Sequence, residues 1–520
     1  MYIEPNTTIK LYSGVPLDNT YEHTLYFANL TAQNNYFHSG IAKYTLANNS
    51  YQRVERGKMR IEKKADDIYD CNYLAFQNSN YGNKWFYAFI TGIEYINNVT
   101  SEITFEIDSM QTYLFDVDIK DCFVEREHSV TDEVGDNLQA EPVNASTVIC
   151  AEQWGSEYFD HYTAIIAHAI AYQSGALAPQ IPTGGVVSGL YNGIDYLPAS
   201  LDTQADIDLL NDFLHKVARA NSSDEIVSIF LMPTDFVASE SRTPVEYDRS
   251  YAKATDFKGY VPRNKKLLTY PYNFLRVECG NDSIDYKYEL FNTSDCEFTF
   301  SGVLSCDPQI ALIPHQYNQD TPVPYGDPMN TTEKLVMRDF PQVAWVQNSY
   351  ATWLGTHHLS ETFKGLSGAG AMALGAFTEN PMLTVGGAYS LMNSMITGQQ
   401  AQWLPDQVHT GTWGTHEVAT RTKNFWFERM QLTLDSAKAI DSFFSKFGYT
   451  CNRVKKPNIS SRPHWNYVKT NGCVAIGEAP SDDIRKICKI YDKGITFWKN
   501  ASEVGVYTDS NGELLYNSPT

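Results

Sequence analysis

The chain has 520 residues, enough for roughly three domains of ordinary size. Apolar residues make up 43% and charged residues 19%, which excludes a mainly disordered chain. The formal net charge of −21 argues against a protein that grips nucleic acid, because such a protein sets Lys and Arg against phosphate.

Aromatic residues reach 13%, with 34 Tyr, and these side chains suit half-buried pleated surfaces, so the composition leans towards β structure. Nine Cys are scattered with no CxxC pair, which fits neither a disulfide framework nor a zinc site. They are expected to be buried free thiols in a protein assembled in a reducing cytosol. No basic stretch followed by an apolar run opens the sequence, so no secretory signal is expected.

Residues 1–150 read as β. The aromatic run from Tyr81 to Ile90 continues to Ile96, and Asn97-Asn98 is a plausible turn because Asn tolerates positive φ. The return strand, Ser101 to Asp108, alternates. Ile103, Phe105 and Ile107 make one apolar face, and Glu102, Thr104, Glu106 and Asp108 an acidic face towards water. A further strand is expected from Lys120 to His128.

Residues 151–260 read as a compact α/β module. Thr163 to Ala171 resembles a buried strand. Thr203 to Ala220 has Ile207, Leu210, Phe213, Leu214 and Val217 at helical spacing, with Thr203 and Asp206 as a weak capping box and Asn221 as the stop. Glu225 to Met232 returns to strand. Residues 261–350 are again β, with strands expected in Leu267–Cys279 and Tyr286–Cys306 and Pro-rich loops between Pro314 and Pro328. Residues 411–520 mix strand and helix. Asp435 is a candidate cap for a helix through Phe447 that puts Ala437, Ile440, Phe443, Phe444 and Phe447 on one side and stops at Gly448. No repeat at solenoid period is present.

The segment Gly365–Ile396, within 351–410, stands apart. Its only charge is Glu379, and it holds six Gly and four of the eleven Met. One apolar arm carries Leu366, Met372, Leu374 and Phe377. After a corner at Glu379 and Pro381 the other carries Met382, Leu383, Val385, Leu391, Met392, Met395 and Ile396. Each arm is shorter than the ~20 residues of a spanning helix, so a hairpin-like loop is expected, buried in an assembly or held ready for a membrane. An ordinary buried helical hairpin is the plainer alternative.

Catalytic signatures are lacking. His357-His358 cannot share one helix face and no HExxH spacing completes a metal site; His128 reads as a solvated strand end. Glu152, Glu157 and Asp160 are close in sequence, but a glycosidase pair is defined by spatial separation. There is no G-x-S-x-G elbow, Walker A loop or peptidase-like Cys-His signature. The basic run Asn452–Pro457 is expected to pair with acidic neighbours or subunits.

Several long strings resemble one family. They are Tyr81-Gly-Asn-Lys-Trp-Phe-Tyr-Ala-Phe89, Phe105-Glu-Ile-Asp108 with Gln111-Thr112, and Val124-Glu-Arg-Glu-His128. At the far end come Lys446-Phe-Gly-Tyr449, Asn452-Arg-Val-Lys-Lys-Pro-Asn458, Asn466-Tyr-Val468 and Gly494-Ile-Thr-Phe-Trp498. Their order is similar to that in the distal tail knob proteins of phi-29-like phages and related small podoviruses of Gram-positive hosts. Residues 140–350 match only in outline and look shorter than in the phi-29 type. The resemblance implies a mainly β fold with α+β insertions, whose tail-tube-like β-barrel domains form a hexameric ring. It implies a structural protein of the virion tail tip, assembled in the host cytoplasm, with no enzymatic activity and no cofactor. Its partners would be five further copies of itself, other tail proteins on the lower collar side, viral DNA in transit and the host membrane. The loop 365–396 is then the channel plug that later enters the membrane, and Glu102, Thr104, Glu106 and Asp108 are expected to line the channel or its rim. A cell-wall-degrading tail-tip enzyme and a receptor-binding module are the alternatives.

Overall fold

The computed structural model describes residues 6–49, 57–79, 82–142, 147–168, 226–237, 245–280, 282–304, 308–318, 333–340 and 423–519, with short stretches at 186–187, 190–191, 195–200, 203–206, 208–210 and 342–343. The segment 365–396, His357-His358 and most of the helix expected over Thr203–Ala220 lie outside the described residues. At that helix's start the capping pair is present. The Asp206 N–H donates to the Thr203 hydroxyl oxygen and the Thr203 N–H to the Asp206 carboxylate, each at 3.2 Å.

Alternation along the strands builds the first unit, residues 1–147, 256–269 and 432–520. Its six-stranded sheet runs Ala42–Asn49, Thr7–Ser13, Cys71–Asn78, Trp85–Asn97, Thr100–Ile107, Lys58–Ile61, every neighbour antiparallel. One face offers Tyr12, Tyr73, Tyr87 and Phe89, the other Leu11, Leu74, Ala88, Ile103 and Phe105, and both faces are buried. The aromatic face packs on Trp465, Phe497 and Trp498 from a second sheet. That sheet has the order His23–Leu25, Ile495–Trp498, Trp465–Asn471, Cys122–Glu127, Tyr449–Lys455. Its first two strands are parallel, so the chain's opening and closing segments fold together. Each fully buried Trp removes roughly 200 Å² from water, about 5 kcal/mol before entropy is counted.

The hairpin Trp85–Asn97/Thr100–Ile107 turns through Asn98-Val99. The Asn97 side chain accepts from the Val99 N–H at 2.9 Å and fixes the turn. The helix Leu434–Phe447 has Thr433 at its N-cap position, without a capping bond from that side chain to the backbone, and Asp435 inside its first turn. It buries Ala437, Ile440 and Phe444 as its spacing requires, and also Asp441 and Ser445. A further helix, not among those expected, is Ser481–Lys493, which buries Ile487, Ile490 and Tyr491.

The second unit comprises residues 148–255 and 270–431. Its three four-stranded sheets run Val148–Gly155, Trp426–Leu432, Asn273–Cys279, Asp282–Tyr286; then Val245–Tyr251, Cys296–Val303, Gln309–Pro314, Leu335–Met337; then Asp195–Ala199, Tyr162–His168, Ile226–Pro233, Gln342–Val343. The expected strand 267–279 begins only at Asn273, after a short 3-10 turn at Lys265–Leu268. The segment 151–260, expected as a module of its own, is not separate. Its Ile165, Ala167 and Phe230 share one core with Leu275, Phe298 and Phe427, and Val245–Tyr251 pairs along Cys296–Val303. An aromatic cluster is the reason: Phe427 stacks on Tyr251 at 4.2 Å and meets Phe298 edge-on at 5.6 Å, so no part of it can be removed without exposing the rest.

Gly448 ends its helix at φ 65°, ψ −154°, and an added Cβ would lie 2.1 Å from the Glu127 carbonyl oxygen. Only glycine suits that backbone region. Gly448→Ala is expected to destabilise the first unit by about 3 kcal/mol in urea denaturation, and a loss below ~0.5 kcal/mol would contradict this account.

Candidate functional site

The acidic strand was expected to present four polar side chains on one wet face. Thr104 is half-buried and Glu106 exposed, but the other two are turned to structural use. Glu102 is 8% exposed because Arg60, its cross-strand partner, covers it; its carboxylate meets Arg60 at 3.1 Å and Lys58 at 3.6 Å. Asp108 is 1% exposed. It caps the turn Ser109–Thr112, accepting from the Gln111 N–H at 3.1 Å and the Tyr73 hydroxyl at 2.8 Å. Burial outweighs those bonds and raises its pKa to about 6. The alternation expected for water-facing acids therefore fails at both ends of the strand, at a cation-rich neighbour and at a helix cap.

Glu106 is bound to the helix Ser481–Lys493 through Lys486 at 2.7 Å and accepts from Asn19 at 3.2 Å. Partial burial alone would raise its pKa, but Lys486 and Asn19 overcome this and hold it low. The same corner holds a buried amide relay. Gln33 donates to the Gln111 side chain at 3.0 Å, and Gln111 donates to Thr24 at 2.9 Å and to the Leu25 carbonyl at 2.8 Å. The string Phe105–Asp108 with Gln111-Thr112 is thus the place where a strand ends, a helical turn starts and two sheets are tied.

The string Val124–His128 has a similar role. Arg126 and Lys266 both bind Glu141, whose side chain is 1% exposed and which also accepts from the Thr450 N–H at 2.9 Å and hydroxyl at 2.8 Å. Burial would raise the Glu141 pKa, yet Lys266 and Arg126 keep it below the ordinary value. Nothing in the spacing of Glu141 marked it out. His128 is not a solvated strand end; it is 2% exposed. The Tyr467 N–H donates to its Nδ1 at 2.8 Å, and its Nε2 lies 3.0 Å from the Ser445 carbonyl, which makes Nε2 the protonated nitrogen. Burial, aided by Arg462, lowers its pKa to about 3, so the ring is neutral and structural.

Two of the three candidate carboxylates and two cations of the basic run are also paired. Glu152 meets Arg429 at 3.1 Å and Glu157 binds Arg249. In the basic run, Lys455 binds Glu127 and Lys456 meets Asp118 at 2.6 Å. Among the described residues no group of three or more His, Cys, Asp or Glu is arranged to hold a metal ion, and no helix is long and apolar enough to cross a membrane.

The polar side chains at these corners are held by partners within the chain, and similarity to known proteins places the chain among phage tail components. Residues 238–512, more than half the chain, match the family model described as the C-terminal domain of tail knob protein gp9 of Bacillus phage phi29, and residues 5–118 match the caudoviral major tail protein N-terminus. Tail knob protein gp9 of Bacillus phage B103 is 26% identical over 97% of this chain and 98% of its own length. The phi29 and PZA proteins are 22% and 23% identical over the same shares. The tail knob protein gp12 of bacteriophage C1 shares the fold, with a TM-score of 0.60 and 14% identity over 96% of this chain and 97% of that one. The chain belongs to the phi29 tail knob protein family. It is a structural tail protein of the virion.

Two measurements test this site. Asp108 has a folded pKa above its ordinary 3.8, so the stability it contributes is full below about pH 4 and is lost as pH rises through about 6. Asp108→Asn should therefore gain on the parent by up to about 3 kcal/mol between pH 4 and pH 7.5, read by urea denaturation at both values; an unchanged difference would refute the assignment. Glu141→Ala leaves two buried cations without their shared anion and should cost about 3–5 kcal/mol in the same assay.

Proposed function

We propose that this chain forms a ring at the tail tip through which the genome is ejected, and that its apolar segment first closes the channel and then enters the host membrane. The ring is a homo-hexamer seated against other tail proteins, with tube-forming β-barrel domains. The observation that carries the reading is the sequence of Gly365–Ile396: thirty-two residues with a single charge, inside a chain of the tail knob family. So many apolar side chains, each worth ~1.5–3 kcal/mol on full burial for Leu, Phe or Met, need either one another in a closed ring or lipid. Glu379 at the corner stays near water, because an unpaired buried carboxylate is costly.

Of the four acidic-strand residues, Thr104 and Glu106 remain candidates for the channel wall; Glu102 and Asp108 are committed inside the chain. Neither a cell-wall enzyme nor a receptor module is favoured by any arrangement among the described residues.

Deleting residues 365–396 should leave soluble six-fold rings, visible by electron microscopy with an open centre, that no longer release dye from liposomes. The paired change Leu374→Asp with Leu391→Asp should abolish release in the same way. If the deleted form permeabilises liposomes as well as the intact protein, the membrane role is wrong and the segment is at most a passive plug.

A further inference from the structure

Three thiols meet where the helix Ser481–Lys493 crosses the second sheet of the first unit. Cys122 opens the strand Cys122–Glu127 and is buried. Cys473 lies just past the strand Trp465–Asn471, whose Asn471 pairs with Phe123. The Lys120 N–H donates to the Val474 carbonyl at 2.8 Å, which carries that pairing beyond Cys473. Cys488 is on the helix. One turn further on, Asp492 accepts from the Cys473 N–H at 3.0 Å and from the Thr470 hydroxyl at 2.7 Å, so the helix is held against this strand end. Cys488 is four residues before Asp492, on the same face of the helix, which brings it beside Cys473, and the thiols of Cys488 and Cys122 are near enough to act electrostatically on that of Cys473.

All three cysteines are unbridged, and the cluster is not arranged as a metal site. Cys473 and Cys488 are partly open to solvent, whereas Cys122 is not. We propose that Cys473 and Cys488 are an oxidisable pair that closes to a disulfide once the protein leaves a reducing compartment, fastening the C-terminal helix to the sheet. The oxidant is a peroxide. One thiolate attacks a peroxide oxygen, the O–O bond breaks, and the sulfur becomes a sulfenic acid as the first water leaves. The second thiol attacks that sulfur, the S–S bond forms and a second water departs, so two thiols and one peroxide give one disulfide and two waters. Burial first, then the neighbouring thiols and Asp492, push the Cys473 thiol's pKa up. Since the thiolate is the reactive form, closure is slow, as suits a fastening made after release rather than a fast sensor. The chemistry does not depend on the ring or the plug proposed above.

The test uses the full-length purified protein, reduced, freed of reductant and treated with hydrogen peroxide, then unfolded in iodoacetamide. Two fewer than the nine thiols should be alkylated, with the loss reversed by dithiothreitol. The oxidised chain should be about 2 Da lighter before alkylation. A non-reducing tryptic digest should contain Thr470–Arg485 joined to Ile487–Lys489. Cys473→Ser and Cys488→Ser should each leave every remaining thiol free. All nine thiols remaining alkylatable, or a link from Asp121–Arg126 to Thr470–Arg485 in its place, would overturn the proposal.

Discussion

Glu141 sits with almost no exposure between Arg126 and Lys266 and accepts two further bonds from Thr450. Those four residues come from three stretches of the first unit that are far apart in sequence. A buried carboxylate costs several kcal/mol in lost hydration, and only full pairing offsets that cost. The arrangement is therefore all or nothing: the unit cannot be partly assembled around Glu141 without stranding charge. Asp441 makes a second such clamp. It is fully buried and accepts from the Tyr260 hydroxyl at 2.6 Å, the Arg263 N–H at 3.0 Å and the Asn264 N–H at 3.0 Å. Between them, these two carboxylates explain why residues 256–269, flanked on both sides by the second unit, belong to the first.

Around those clamps the apolar pattern does the rest. A sheet with one wet face needs alternation of apolar and polar residues. The central strands of the six-stranded sheet alternate aromatic with aliphatic instead, because both faces are covered there. The high Tyr content is spent in this way: Tyr12, Tyr73 and Tyr87 are buried on one face, with Tyr73 reaching Asp108 through its hydroxyl. Two of the family strings, Phe105–Asp108 and Val124–His128, fall on corners where strand, turn and buried hydrogen bond coincide. Such corners tolerate little substitution, since each side chain there both packs and satisfies a polar group.

The β character, the hairpin at Asn97, the helix stop at Gly448 and the cap at Thr203 were legible because each rests on neighbours in sequence. What was not legible rests on partners distant in sequence. Glu102 looked solvent-facing by period, but its environment is set by Arg60 across the ladder. His128 looked like a frayed end, but Tyr467 and Ser445 enclose it. The helix Ser481–Lys493 did carry a local signal: Pro480 ahead of it, Asp482 and Asp483 in its first turn, Gly494 after it, and Ile487, Ile490 and Tyr491 at helical spacing. Of the candidate site, the apolar segment was read from composition alone, because lack of charge over that length is itself the signal.

Withdrawing Glu102 and Asp108 from the proposed channel wall leaves the electrostatic case for DNA transit intact. Pairing within the chain removes one anion with each cation, so it cannot change the sum: 61 acidic against 40 basic residues leave at least 21 carboxylates with no cation of their own. The excess is larger in practice, since Glu141 occupies two cations, and Asp118 occupies both Lys120 and Lys456. Those spare carboxylates lie predominantly at surfaces, because an unpaired carboxylate is too costly to bury. A wall of the proposed channel built from such a surface would repel phosphate on average. At physiological salt that repulsion reaches only ~8 Å, so in the proposed channel it would keep DNA from adhering to the wall without opposing passage along the axis.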